Sequence, residues 1–227
     1  MRLSRVCWML LLAVAMAGHV AAQGFKFSQP DDSDRIDNEA KQARIAEQLS
    51  TPCRAALKDR KIMLVIGERR SNGYIVAEQQ AYGPHFQAIN TRLRSLGLKT
   101  YTAEEIRRQI AQAEIDAYFR NDPDAALSAS KRLGASFILK GLISSQATVN
   151  PIVRVNQVMV DMDFTLTGAD GRVISDTHAN SGSYAGADIQ HMALTLVNEQ
   201  ADEVVAKLYS DYCRNAGFAA GNRSQLK

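Results

Sequence analysis

The run 61–67 (KIMLVIG) constrains this chain more than any other segment. It is short, continuous, apolar and rich in branched residues, with polar sequence on both sides. Such a strand is covered on both faces, so it needs a layer of structure above it and another below. The next segments supply helices for those layers. Residues 84–96 carry Phe86, Ile89, Leu93 and Leu96 on one helical stripe, and Gly97 is placed to cap the end. Residues 98–101 predict a short strand. Thr102 and Glu105 have capping-box spacing and open a helix with Ile106, Ile110, Ala113 and Ala117 on one face. Asp122-Pro123 opens another helix, whose small face (Ala126, Ala129, Leu133) can approach a sheet closely before Gly134 stops it.

After Gly134 the period changes from helical to alternating. Residues 136–144 (SFILKGLIS) predict a strand. Residues 153–167 predict a long β segment in which Val158, Val160, Met162, Phe164 and Leu166 alternate with polar neighbours. The phase before Asn156 does not match the phase after it, so a bulge or break is expected there. Gly168-Ala169-Asp170-Gly171 is a hairpin turn, and the more polar return, 172–181, is expected at a sheet edge. A long helix over 188–209 follows, its stripe broken by Gln200. The predicted order β, α, β, α, α, β, β, β, α gives an α/β (α+β) fold. It is a mixed sheet of about five strands with helices packed on it, ending in a C-terminal β-hairpin and a long helix.

The first 22 residues have the make-up of a cleavable secretory signal. Arg2 and Arg5 precede an apolar stretch, 6–17, and Val20-Ala21-Ala22 puts small residues before the expected cut at Gln23. The apolar stretch is shorter than the roughly 20 residues a spanning helix needs. Gln23 stands where a lipoprotein would carry cysteine. The expectation is an exported, soluble periplasmic protein that is not a lipoprotein and has no transmembrane segment in its mature chain. The domains expected are 1–22, signal peptide; 23–59, polar segment and helix; 60–213, a single α/β domain; and 214–227, a basic flexible tail. The helix predicted over 34–49 has a thin apolar face and either packs on the domain or serves as an arm. Hydrophobic residues make up 46% of the chain, enough for a real core, and the net charge of +3 includes the two signal arginines. No clustered basic face argues for nucleic acid. Cys7 leaves with the signal, which leaves Cys53 and Cys213, an even pair in a compartment where disulfides persist. A bridge would tie the two ends of the domain together and contribute roughly 4–5 kcal/mol by chain entropy; the other reading is two separate thiols.

Three segments together carry a family resemblance: KIMLVIG; KRLGASFILKGLISS, with Gly134-Ala135 before a strand containing Lys140-Gly141; and VMVDMDFTLTGADGRVISD, with its Thr-Gly-x-x-Gly turn. Over roughly 60–210 the chain resembles the periplasmic α/β domain of four groups. These are the curli-secretion lipoprotein, the outer-membrane lipoprotein activators of penicillin-binding proteins, the middle domain of flagellar assembly protein T, and the TolB N-terminal domain. The chain lacks the lipid-attachment cysteine of the lipoprotein members and the long amphipathic hairpin of the curli protein, and both departures argue against a membrane channel. The resemblance implies a non-enzymatic envelope protein that acts by binding another protein.

Motifs for chemistry are missing. His85, His178 and His191 have no cysteine or carboxylate partners at metal spacing, apart from Asp188 three residues before His191, which is better read as an exposed polar face. There is no G-x-S-x-G, P-loop or G-x-G-x-x-G. No catalytic, metal or cofactor residues are expected. Asp161 and Asp163 share one strand face at a spacing that could suit acid–base work, but alternation already explains them as a solvated face with Asp176. The candidate partner-binding loop is 68–83, with Arg69, Arg70, Tyr74 and Tyr82. It follows the C-terminal end of a central strand, where open α/β sheets bind partners, and tyrosines suit interfaces. The function expected is a periplasmic accessory or scaffold protein that binds an envelope protein through the sheet edge or this loop. The alternatives are a small-molecule or glycan-binding module and, third, a hydrolase using Asp161 and Asp163. Homo-oligomer formation stays open.

Overall fold

The computed structural model describes residues 32–69, 75–76, 83–120, 122–152 and 154–215. The expected signal peptide and most of the 214–227 tail lie outside them. By internal contacts the chain divides into two compact units, 1–38 and 39–227, and the fold described here is that of the second. The elements run α1 (Asp32–Ser50), α2 (Arg54–Leu57), β1 (Lys61–Arg69), β2 (Ile75–Val76), α3 (Pro84–Ser95), β3 (Lys99–Thr100), α4 (Ala103–Gln109), α5 (Gln112–Phe119), α6 (Pro123–Leu133), β4 (Phe137–Val149), β5 (Asn156–Gly168), β6 (Val173–Ala185) and α7 (Ile189–Asn215).

One mixed sheet runs β2-β1-β4-β5-β6, with β3 also pairing β1. β1 and β4 are parallel, and the β4–β5–β6 meander is antiparallel. The fold is therefore α/β, with the hairpin and long C-terminal helix that the sequence predicts. β1 is buried on both faces, as its unbroken apolar run requires. Ile62, Leu64 and Ile66 join a core layer with α3 and α7, whereas Met63 and Val65 join a second layer with α4, α5 and α6. Burying those five side chains removes them from water at about 1.5–3 kcal/mol each.

Sequence and structure differ at three places. The helix expected to run from Thr102 through Ala117 is two helices. Ile110 and Ala111 between them are extended, and Glu114 reaches back to accept the Ala111 N–H at 3.1 Å. Arg132 Nε donates to the freed Gln109 carbonyl at 3.1 Å, which satisfies the break. The strand expected over 136–144 continues to Val149. The bulge or break expected before Asn156 is a break, since β5 begins there and not at 153. It is the turn itself, closed by Asn150 N–H to Val155 O and Arg154 N–H to Asn150 O, both 2.9 Å. From Glu39 onward α1 packs on the domain: Ile45 is buried, and Lys41 donates to Gln200 Oε1 at 3.0 Å. The polar break in the α7 stripe is thus a hydrogen-bond acceptor.

Candidate functional site

The β4–β6 meander builds the surface most open to a partner. Along β5, Val158, Val160, Met162, Phe164 and Leu166 point into the core under α7, so Met159, Asp161, Asp163 and Thr165 point to the other face. Helices α4–α6 cover that face over β1 and β4 and reach the Thr165–Val173 end of the hairpin, leaving the rest of β5 and β6 uncovered. Register sets the rest of it in rows: Ser144, Asp161 and Asn180 lie side by side, as do Leu142, Asp163 and His178.

Within these rows Asp163 Oδ1 lies 2.7 Å from His178 Nδ1, and His178 Nε2 lies 3.3 Å from Asn180 Nδ2. Thr165 Oγ1 donates to Asp176 Oδ1 at 3.2 Å. The Asp161–Asp163 pair of the sequence is therefore on one exposed face, with Asp163 held by an imidazole. Sequence reasoning missed His178 and Asn180 as its neighbours, because only the hairpin register brings them there. Among the described residues no three His, Cys, Asp or Glu side chains gather as a metal group. Asp188 Oδ1 accepts the backbone N–H of His191 at 2.9 Å and so begins α7, while His85 Nδ1 sits 2.8 Å from Glu68 Oε1.

Of the candidate loop, Arg69 is exposed at the end of β1, opposite Ser144 of β4 and Ile75 of β2. Arg70, Tyr74 and Tyr82 lie outside the described residues.

The outer side of the meander is a long edge. β6 (VISDTHANSGSYA) is 13 residues long and holds no lysine, arginine or proline, and no described strand pairs with its outer side. Natural sheets protect edges with those residues or with bulges. β6 has one irregularity, opposite Leu166 and Thr167 near its start, where Ile174 O accepts Nδ2 of Asn215 at 3.0 Å. Beyond that point the edge carries no such device.

A cavity of about 480 Å³ opens beside α5 and α6, lined by Tyr118, Leu127, Lys140, Thr165, Thr167 and Val173. The Lys140 ammonium stands 4.8 Å over the Tyr118 ring and donates to the Tyr118 carbonyl at 3.3 Å. Burial pushes its pKa below the ordinary lysine value. At the far end of the fold, Cys53 and Cys213 form a disulfide with their Cα atoms 5.8 Å apart.

No helix of the described residues is long and apolar enough to cross a membrane. No family model matches the chain, and no curated protein does. Solved structures similar to it include the PelC dodecamer of Paraburkholderia phytofirmans, at 14% identity and a TM-score of 0.39 over 67% of this chain and 88% of that one. The LpoB C-terminal domain of Salmonella enterica matches at 15% identity and a TM-score of 0.39, covering 63% and 96%. The lipoprotein GNA1162 of Neisseria meningitidis matches at 11% identity and 0.38, covering 64% and 97%. All three likenesses fall below a TM-score of 0.5, and function rests on this chain's own residues.

Proposed function

We propose that this chain is a non-enzymatic accessory protein of the cell envelope, exported to the periplasm, that binds a partner protein at the β6 edge of its sheet. The β6 edge carries the reading. Beyond Ile174, whose carbonyl Asn215 takes, alternate residues of β6 present backbone donors and acceptors on the outer side, with no lysine, arginine or proline to block an incoming strand, which is the surface that strand addition uses. The polar face beside it, with Asp161, Asp163, His178 and Asn180, can read alternate side chains of the added strand. Export is supported by the make-up of residues 1–22 and by the paired cysteines. Among the described residues Asp163 is engaged with His178, and His178 with Asn180, so hydrogen bonding and strand alternation account for these carboxylates without a catalytic role.

Photo-crosslinkers placed in living cells at His178, Asn180, Asp163 and Arg69 test this. A single dominant protein adduct from His178 and Asn180 is the expected result. Adducts from Arg69 alone would move the interface to the 68–83 loop, and no protein adduct from any position would remove the reading. The Lys140 cavity favours a second reading, a small-molecule or glycan-binding module. Thermal shift against peptidoglycan fragments, lost in Lys140→Met, would support it.

A further inference from the structure

Seven large apolar side chains stand exposed among the described residues, and five of them gather at one end of the sheet. Ile152 is 89% exposed, Val149 62% and Tyr184 56%, with Val155 and Met159 beside them. Val149 pairs Asn156, Gln157 pairs Tyr184 and Met159 pairs Gly182, so all five lie in the β4–β5 turn or on the last rungs behind it, within about 10 Å along the strands.

Two further properties of this tip narrow its occupant. The first is charge. Residues 141–160 contain no acidic side chain and one cation, Arg154, in the turn. Asp188, the nearest acid beyond the β6 end, is engaged at the start of α7. The second is the backbone. The N–H groups of Asn150 and Arg154 bond within the turn, Ile152 N–H bonds to Asn150 Oδ1 at 2.9 Å, and Pro151 has no N–H to satisfy. The hydrocarbon boundary of a bilayer supplies no backbone partners, so bonding these three amides within the turn lowers the cost of entry into lipid.

We infer that the β4–β5 tip is an interfacial anchor for an anionic bilayer. Val149, Ile152 and Val155 enter the boundary between headgroups and acyl chains, Arg154 meets lipid phosphates, and Tyr184 sits at headgroup level. Entry is end-on, because Asp161 and Asp163 farther down the sheet face are repelled by the same anionic surface. The anchor takes Tyr184 from the end of β6 and would leave the edge before it, from Ser175 to Ser183, free for a partner.

Vesicle flotation of the expressed protein tests this, with phosphatidylethanolamine vesicles that contain or lack phosphatidylglycerol. Binding to the anionic vesicles is expected, with Ile152→Asp lowering the bound fraction about tenfold and Arg154→Glu weakening it further as salt falls. Both side chains are exposed, so the thermal midpoint should not move, which separates lost anchoring from lost folding. Absence of binding to phosphatidylglycerol vesicles overturns the inference, as does equal binding of wild type and Ile152→Asp. A photo-crosslinker at position 152 that captures protein and no lipid overturns it in favour of a protein pocket.

Discussion

At the residue scale, Lys140 and Gly141 show how neighbours on one strand serve opposite layers. Gly141 faces the α7 layer directly beneath Phe164. A Cβ there would stand 2.3 Å from Cε1 of that ring and 3.1 Å from Cγ1 of Ile66. Phe164 is wholly buried, so Gly141→Ala forces the ring or the strand to move. The expected cost is about 1–3 kcal/mol, read as a lower urea midpoint with an unchanged slope. An unchanged midpoint would mean that the ring has room to shift. Lys140 faces the other way and lays its ammonium over Tyr118 and, at 5.6 Å, Phe119. The Lys-Gly pair was visible in the sequence as part of a resemblance. Its physical reason was not, because which ring lies over Gly141 depends on the β4–β5 register.

Among elements, the junction of α7 with β6 concentrates the most chemistry. Asp211 in the last turns of α7 is 7% exposed and accepts from Ser175 Oγ of β6 at 2.7 Å, Lys207 Nζ at 2.7 Å and Arg214 at 2.5 Å. Burial pushes its carboxyl up, but the hydrogen bonds from Lys207, Ser175 and Arg214 together outweigh it and hold it below the ordinary aspartate value. A depressed folded pKa contributes stability that is present in full above the unfolded value of about 3.9 and is lost as pH falls through the folded one. Asp211→Asn should therefore cost about 1–3 kcal/mol near neutral pH, and the gap from wild type should narrow in acid below about pH 4. A gap that stays constant from pH 7 to 3 would show that the carboxylate's charge is not what holds the junction. The element-level record is uneven for a physical reason. β1, the hairpin and α7 were legible because their burial follows simple periods. The break at Ile110–Ala111 was not, because Ile110 stays buried at 4% exposure and keeps the helical pattern unbroken. What permits the break is Arg132, donated from α6. The same limit applies to the surface sites. Alternation placed Asp161 and Asp163 on one face, but residues 153–155 read as the start of the next strand and not as part of a turn, so the apolar tip was not recognised.

For the whole molecule, the Cys53–Cys213 disulfide decides how the ends of the fold are held. It spans a sequence separation of 160 residues and joins the segment before α2 to the last turn of α7, with both cysteines buried. Tyr209 reinforces the same point: its hydroxyl donates to the Thr51 carbonyl and accepts the Cys53 N–H at 3.3 Å. Phe137, at the start of β4, packs edge-on against Tyr212 with ring centroids 5.1 Å apart, so the closure reaches the central sheet. Without the bridge the native contacts remain possible, but the unfolded chain gains the freedom of a long open loop. Cys53→Ser/Cys213→Ser should lose roughly 5 kcal/mol, a large share of the 5–15 kcal/mol typical of a domain. The loss should be regional before it is global. Amides of α2 and of α7 after Tyr209 should exchange faster, while β1 and β4, buried between two layers, keep their protection. Uniform loss of protection across β1, β4 and α7 would instead mean that the ends and the sheet open as one unit. In that case the bridge would act on the stability of the whole domain rather than on its closure.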